Sequence, residues 1–283
     1  MTRHRRLPDF LFIGPDKAGS TWLDRAFRAH PDVFLPRAKE LFFFDRFFDK
    51  GIDWYSNHFS TARVDQIAGE ISHDYLFSDL ACDRIASVVP NVRLIVCLRE
   101  PVQRAYSAYL YMVKQGRTNA SFDVAMHEIE ELTDHGRYSS HLSRYLARFG
   151  RSQLHIAVFD ELVRDSSAFF DKICQFLCVP QIQLAESLRG KSLPASRSRI
   201  PALTRTLRRS AWAIRRLGIP GIISIAKSSP YLNRLLFQEY SSDSKPNMSP
   251  HEFERCRSIF AAEVAQLDDL LGTSLRRLWG YET

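Results

Sequence analysis

Between a short apolar run and an amphipathic one lies the loop Gly14-Pro15-Asp16-Lys17-Ala18-Gly19-Ser20-Thr21, and it narrows the choice of architectures at once. Phe10 to Ile13 is uniformly apolar, as expected of a strand buried on both faces. Ser20 to Ala29 carries Trp22, Leu23, Ala26 and Phe27 at spacings that place them on one helix face. A glycine-containing turn from strand to helix points backbone N–H groups at a helix N-terminus, where they favour an anion. Ser20 and Thr21 add hydroxyls to the first turn. An ordinary strand-to-helix turn with a solvated lysine accounts for the same residues, so the loop needs a second element beside it.

That element is Arg99 with Ser107. Val92 to Leu98 is apolar apart from Arg93 and reads as a central parallel strand. Arg99 follows it, and Pro101 opens a helix to about Lys114 from the first turn, where its missing N–H costs nothing. Arg99 then sits at a strand carboxyl end, the place where α/β proteins bind ligands. Arg meets phosphate in a planar, two-pronged way, and Ser107, two turns into the helix, offers one more hydroxyl. An Arg99 paired with Glu100 or Asp45, and a solvent-facing Ser107, would be the plain structural alternative.

The rest of the chain alternates in the same manner. Asp32–Leu35 reads as a short extended piece before Pro36, and strands are expected at Ile67–Ile71 and Gln153–Phe159. Helices are expected at Asp83–Val89, Phe122–Leu132, Ser139–Phe149, Ala168–Leu177 and Ser249–Trp279, the last with Ser249 as N-cap and Pro250 at its first position. Alternation of this kind implies a doubly wound parallel sheet, and together with the loop after the first strand the expected fold is α/β, P-loop NTPase-like and three-layered, with a central parallel β-sheet flanked by helices. The reading is one domain over 1–283, with a variable basic and apolar helical appendage at about 190–244. Within it Arg205, Arg208, Arg209, Arg215 and Arg216 interleave with Leu203, Leu207, Trp212, Ile214 and Leu217. That pattern predicts either a helix packed on the domain or weak contact with an anionic membrane surface.

Charge and cysteine usage narrow the function. Lys plus Arg is 39 against 32 Asp plus Glu, a formal excess of +7. This suits an anionic ligand, and no pattern of a nucleic-acid-binding module accompanies it. The five cysteines form no CxxC or Cys/His cluster, so no metal is expected and a reducing compartment is. Cys174 and Cys178 are four apart, which places them on one helix face. No apolar stretch approaches a membrane span or a signal-peptide core, and the expected location is cytoplasmic.

These residues together resemble the PAPS-dependent sulfotransferase family, closest to the branch with the heparan sulfate sulfotransferases and their bacterial relatives. Lys17-Ala18-Gly19-Ser20-Thr21-Trp22-Leu23 is similar to its 5′-phosphosulfate loop, and Arg99-Glu-Pro-Val-Gln-Arg-Ala-Tyr-Ser107 to its 3′-phosphate motif. The stretches His30-Pro31-Asp32, Lys39-Glu40-Leu-Phe-Phe-Phe44, Lys50-Gly-Ile-Asp-Trp-Tyr55, Gly69-Glu-Ile-Ser-His-Asp-Tyr75 and Gly136-Arg-Tyr138 resemble the same branch. The resemblance implies PAPS as donor and PAP as product. Lys17 would contact the 5′-phosphate and bridging oxygen. Ala18, Gly19, Ser20, Thr21 and Trp22 would hold the phosphosulfate, and Arg99 and Ser107 the 3′-phosphate. Lys245 would close over the donor, and Glu40 would be the base. Phe43, Phe44 and Tyr138 would line the acceptor, a carbohydrate or small molecule. Two positions depart from the relatives: Ile71 stands where they often carry Lys, and Tyr111 where His is common. His73 is therefore a second candidate base.

Two rivals come from the same residues. The ATP-type loop has Lys directly after its second glycine; here that position is Ser20. A P-loop kinase or NTPase would nonetheless read Leu154–Phe159 with Asp160 as a strand ending in a magnesium carboxylate. A nucleotide-binding protein without catalysis is the other.

Overall fold

The computed structural model describes residues 5–189, 196–198, 201–217, 237–239 and 248–282. In chain order, β1 (Phe10–Gly14), α1 (Ser20–Ala29), β2 (Val33–Phe34), α2 (Gly51–Asn57), β3 (Ile67–Ile71), α3 (Asp79–Val88) and β4 (Arg93–Leu98) come first. Then follow α4 (Pro101–Lys114), α5 (Phe122–Glu128), α6 (Glu130–Asp134), α7 (Tyr138–Phe149), β5 (Leu154–Val158), α8 (Phe159–Arg164) and α9 (Ser166–Leu177). The remainder is β6 (Ser196–Ser198), α10 (Pro201–Arg216), β7 (Phe237–Glu239), α11 (Pro250–Leu271) and α12 (Leu275–Leu278). The chain divides into two compact units, 1–99 with 144–192 and 100–143 with 193–283.

The first unit holds a parallel sheet of five strands in the order β2-β3-β1-β4-β5. Its central strands are apolar without alternation because both faces are covered; β1 is buried at every residue. Phe10, Phe12, Leu23, Phe27, Ile95, Phe170 and Ile173 form the core shared by the sheet, α1 and α9. The Phe27 ring lies 4.9 Å from Phe10 and 5.4 Å from Phe170. His30 belongs to this packing: its Nε2 lies 2.8 Å from the Pro180 carbonyl, and its Nδ1 accepts from the Asp32 N–H at 3.1 Å. After β1 the chain builds one side of the sheet, β3 and β2, and then crosses to β4 on the other. The loop after β1 thus opens at the point where strand order reverses, the ligand crevice of such sheets. This is the P-loop NTPase-like arrangement of a parallel sheet flanked by helices.

In the second unit α4 starts on a carboxylate cap. Glu100 accepts from the N–H groups of Val102 at 3.0 Å and Gln103 at 2.7 Å, and Tyr281 donates its hydroxyl to the same side chain at 2.6 Å. Buried Arg104 donates to the Leu132 carbonyl at 2.5 Å. Ser249 and Glu252 form a capping box at the start of α11, satisfying N–H groups that the first turn leaves without partners. Antiparallel β6 and β7 also belong here.

Several expectations shift. The helix expected over 122–132 breaks at Ile129, whose backbone is extended. The last helix stops at Gly272 (φ 64°), and α12 is a separate turn capped by the buried Asp268. The strand expected to reach Phe159 ends at Val158, because Phe159 begins α8. Cys174 is buried in α9, whereas Cys178 is the exposed left-handed residue that ends it, so the two do not share a helix face. In α10, Arg215 is 7% exposed with its guanidinium 5.9 Å from the Trp212 ring centre, so this arginine turns inward instead of toward a surface. The side chains of Leu203, Arg205, Leu207, Arg208 and Arg209, and Lys245 altogether, lie outside the described residues.

Candidate active site

β1 enters its loop at Gly14, where φ is 139° and a Cβ would lie 2.4 Å from the His73 carbonyl oxygen. Only glycine fits, and the contact presses the loop against the segment that leaves β3. The crown residue Lys17 has φ 60°, uncommon for a residue with a side chain. Gly19, with φ 92°, is the N-cap of α1 and supplies no side chain to cap it. The first-turn N–H groups are thereby left facing the loop, which fits an anionic group such as a phosphosulfate. Arg99 braces the crown: its Nη1 donates to the Lys17 carbonyl at 2.9 Å, and its guanidinium lies 4.7 Å from the Phe159 ring centre.

The segment that carries Glu40 is stapled to the end of β3. Glu40 N–H donates to the Ile71 carbonyl at 3.0 Å, and Phe43 N–H to the Tyr75 hydroxyl at 2.9 Å. Beneath them Glu70, 1% exposed, accepts hydroxyl hydrogen bonds from Tyr55 at 2.5 Å, Ser72 at 2.5 Å and Tyr75 at 2.7 Å. Burial raises the Glu70 pKa above the ordinary carboxylate range even against those three donors. The spacing Glu70, Ser72, Tyr75 therefore encodes a scaffold for the Glu40 segment. Glu40 (φ 64°) and Phe42 (φ 52°) are held in left-handed backbone by it.

Around Glu40 the charges form a chain. His73 Nδ1 lies 3.4 Å from Glu40 Oε1, and its Nε2 lies 3.2 Å from Asp74 Oδ1. Asp74 is paired in turn with Arg46. Burial alone lowers the His73 pKa, yet Asp74, Glu40 and Asp16 outweigh it and hold the imidazole above its ordinary value. Asp45, 7% exposed at its side chain, is pushed up to about 7 by burial, with Arg46 opposing. On the other side of Glu40, Lys39 donates to Ser20 Oγ at 3.3 Å and Thr21 Oγ1 at 3.2 Å, and its amine is 3.9 Å from Glu40 Oε1.

Lys17, Gly19, Ser20, Thr21, Glu40, His73 and Arg99 all belong to the first unit; Ser107 and Tyr138 belong to the second. Ala18 is wholly buried. Trp22 does not turn its indole to the loop: it donates to the Leu188 carbonyl at 2.8 Å and packs on Phe169 and Phe170. Phe43, Phe44 and Tyr138 are 1%, 0% and 0% exposed. Phe43 stacks on Tyr55 with ring centres 4.2 Å apart, so these rings fill the interior and do not present an acceptor wall. Ile71 is buried too, at 2%. Lys39 is the site residue that reading the sequence passed over. Nothing in its immediate neighbours in sequence marks it, and only the fold shows the amine reaching across to the β1 loop.

Comparison with known proteins places this geometry. The sulfotransferase domain family matches residues 7–201. The chain belongs to that family. A bifunctional heparan sulfate N-deacetylase/N-sulfotransferase 4 of Mus musculus is 32% identical over 207 residues, 64% of this chain and 24% of that one. A sulfotransferase from Alicyclobacillus acidocaldarius of known structure is 28% identical with a TM-score of 0.59, covering 77% of this chain and 96% of its own. Mouse sulfotransferase SULT7A1, solved with PAP, shares the fold at 12% identity and TM-score 0.50, over 91% of this chain and 84% of its own. The chain spans between 24% and 31% of the length of the first curated relatives it matches. Among the described residues no helix is long and apolar enough to cross a membrane.

Proposed function

We propose that this chain moves a sulfuryl group from PAPS to a hydroxyl or amine of a carbohydrate or small-molecule acceptor and releases PAP. The observation that carries this reading is the β1 loop standing beside Glu40: an anion cradle and a proton acceptor, with the Lys39 amine 3.9 Å from the carboxylate. Bound PAPS supplies a sulfuryl whose bond to a phosphate oxygen breaks as its bond to the acceptor forms. The loop N–H groups with Ser20 and Thr21 hold the phosphosulfate oxygens. Lys17 faces the oxygen that leaves with the bonding pair, and Arg99 with Ser107 takes the 3′-phosphate, the role the family resemblance gives them. Groups fixed in place before charge develops stabilise it most.

Glu40 takes the acceptor's proton. His73 is the poorer base, because the carboxylates around it favour its protonated form. Five free cysteines support a reducing compartment such as the cytoplasm. Weak, salt-sensitive docking of 201–216 on an anionic surface is a separate proposal, checked by vesicle co-sedimentation at low salt.

The NTPase rival fares worse. Asp160 sits exposed in the first turn of α8, and Glu161 pairs with Lys172 at 2.9 Å. Calorimetry with PAP, beside ATP with magnesium, separates the two. The sulfotransferase reading expects metal-independent PAP binding that is lost in Arg99→Ala. Binding of ATP–magnesium without PAP overturns it.

A further inference from the structure

We infer that Lys39 is a catalytic residue of this chain, the cation that faces the transferring sulfuryl and distinguishes PAPS from PAP. The inference rests on the donor-site reading above and goes beyond it by assigning the sulfuryl to a particular side chain.

In an in-line transfer the sulfur lies between the leaving phosphate oxygen and the acceptor atom, whose proton goes to the base. The S–O bond to the phosphate breaks with its electron pair staying on that oxygen, while the bond from the acceptor to sulfur forms. A side chain that faces the sulfuryl must therefore lie between the phosphate-holding groups and the base. Lys39 does so. Its amine lies 3.3 and 3.2 Å from the hydroxyl oxygens of Ser20 and Thr21, and 3.9 Å from Glu40 Oε1. No more than a fifth of either side chain is exposed, at 19% for Lys39 and 16% for Glu40, so the charge acts in a partly desolvated place.

The bonding directions agree. An ammonium has three protons and no acceptor. Two of those protons go to Ser20 and Thr21. Both hydroxyls accept from Lys39, so their own protons point away from its amine. One cation thus lies against the first turn of α1 and keeps a third proton on the side of Glu40. Position 71 does not supply such a charge, because Ile71 is buried and apolar. Lys17, at the crown of the loop, is the residue already assigned to the leaving oxygen in the proposal above.

The test compares two ligands that differ by the sulfuryl. Calorimetry is run with PAP and with PAPS, without acceptor, on the native chain, Lys39→Met and Lys39→Gln. Melting temperatures identify any variant that fails to fold, and the other variant then carries the comparison. Both variants are expected to keep PAP affinity within about twofold and to lose about tenfold or more for PAPS. Their kcat with acceptor falls further than their KM for PAPS rises. Equal loss for PAP and PAPS makes Lys39 an ordinary phosphate ligand and overturns the inference. Unchanged affinity for both overturns it as well. Binding of neither ligand by the native chain overturns the donor-site reading, and this inference with it.

Discussion

His73 Nδ1 and Glu40 Oε1 stand 3.4 Å apart, with Asp74 Oδ1 3.2 Å from the other imidazole nitrogen. The carboxylates of Asp74, Glu40 and Asp16 raise the folded-state pKa of His73 over the opposing effect of burial. A raised pKa means that the folded state holds the proton more tightly than the unfolded chain. The stabilisation is complete below the unfolded pKa of about 6.5 and is lost as pH rises through the folded value. Melting temperature should therefore fall from pH 6 upward through that value, and His73→Asn should flatten this part of the curve.

Glu40→Gln should reduce kcat by about 100-fold or more, the range of a lost general base. PAP affinity should be unchanged, because the amide still occupies the segment stapled to β3. Pre-steady-state and calorimetric measurements on one preparation check both halves. A parallel drop in PAP affinity would reassign Glu40 to donor binding.

Asp45 gives a second, separate pH effect. Burial pushes its carboxyl up to about 7 from 3.8, so the folded state binds a proton that the unfolded chain has already released. Stability should decline between about pH 4 and pH 7 and level off above. Asp45→Asn should show a shallower decline over that window in urea titrations. An unchanged slope would mean that Arg46 keeps the carboxylate ionised after all.

Gly14→Ala should cost about 1–3 kcal/mol, as for other residues forced into disfavoured backbone. The added Cβ meets the His73 carbonyl at 2.4 Å as well. PAP affinity should fall with stability, since the displaced atoms belong to the cradle. Thermal unfolding with and without PAP measures both.

Much of this architecture was legible because its signals are local. Phe10–Ile13 and Val92–Leu98 read as buried strands from apolar runs, and Gly14, Gly19 and Pro101 marked a turn and a helix start. Glu40 emerged through the family resemblance. What stayed hidden depends on distance in the chain. Lys39 meets Ser20 and Thr21 across 19 and 18 residues, and Glu70 meets Tyr55 across 15. No periodicity marks such partners. Phe43 and Phe44 misled for a related reason: an aromatic cluster beside Glu40 reads the same whether its rings line a cleft or, as here, fill the core.

The wedge of Gly14 against the His73 carbonyl also bears on how this protein could be re-engineered. The β1 loop, the Glu40 segment and β3 are interlocked by Gly14, by Phe43 on Tyr75 and by the hydroxyls around Glu70. Randomising any one of them disturbs the other two. A library aimed at new acceptors should hold 14–21, 39–46 and 70–75 constant and place its diversity elsewhere.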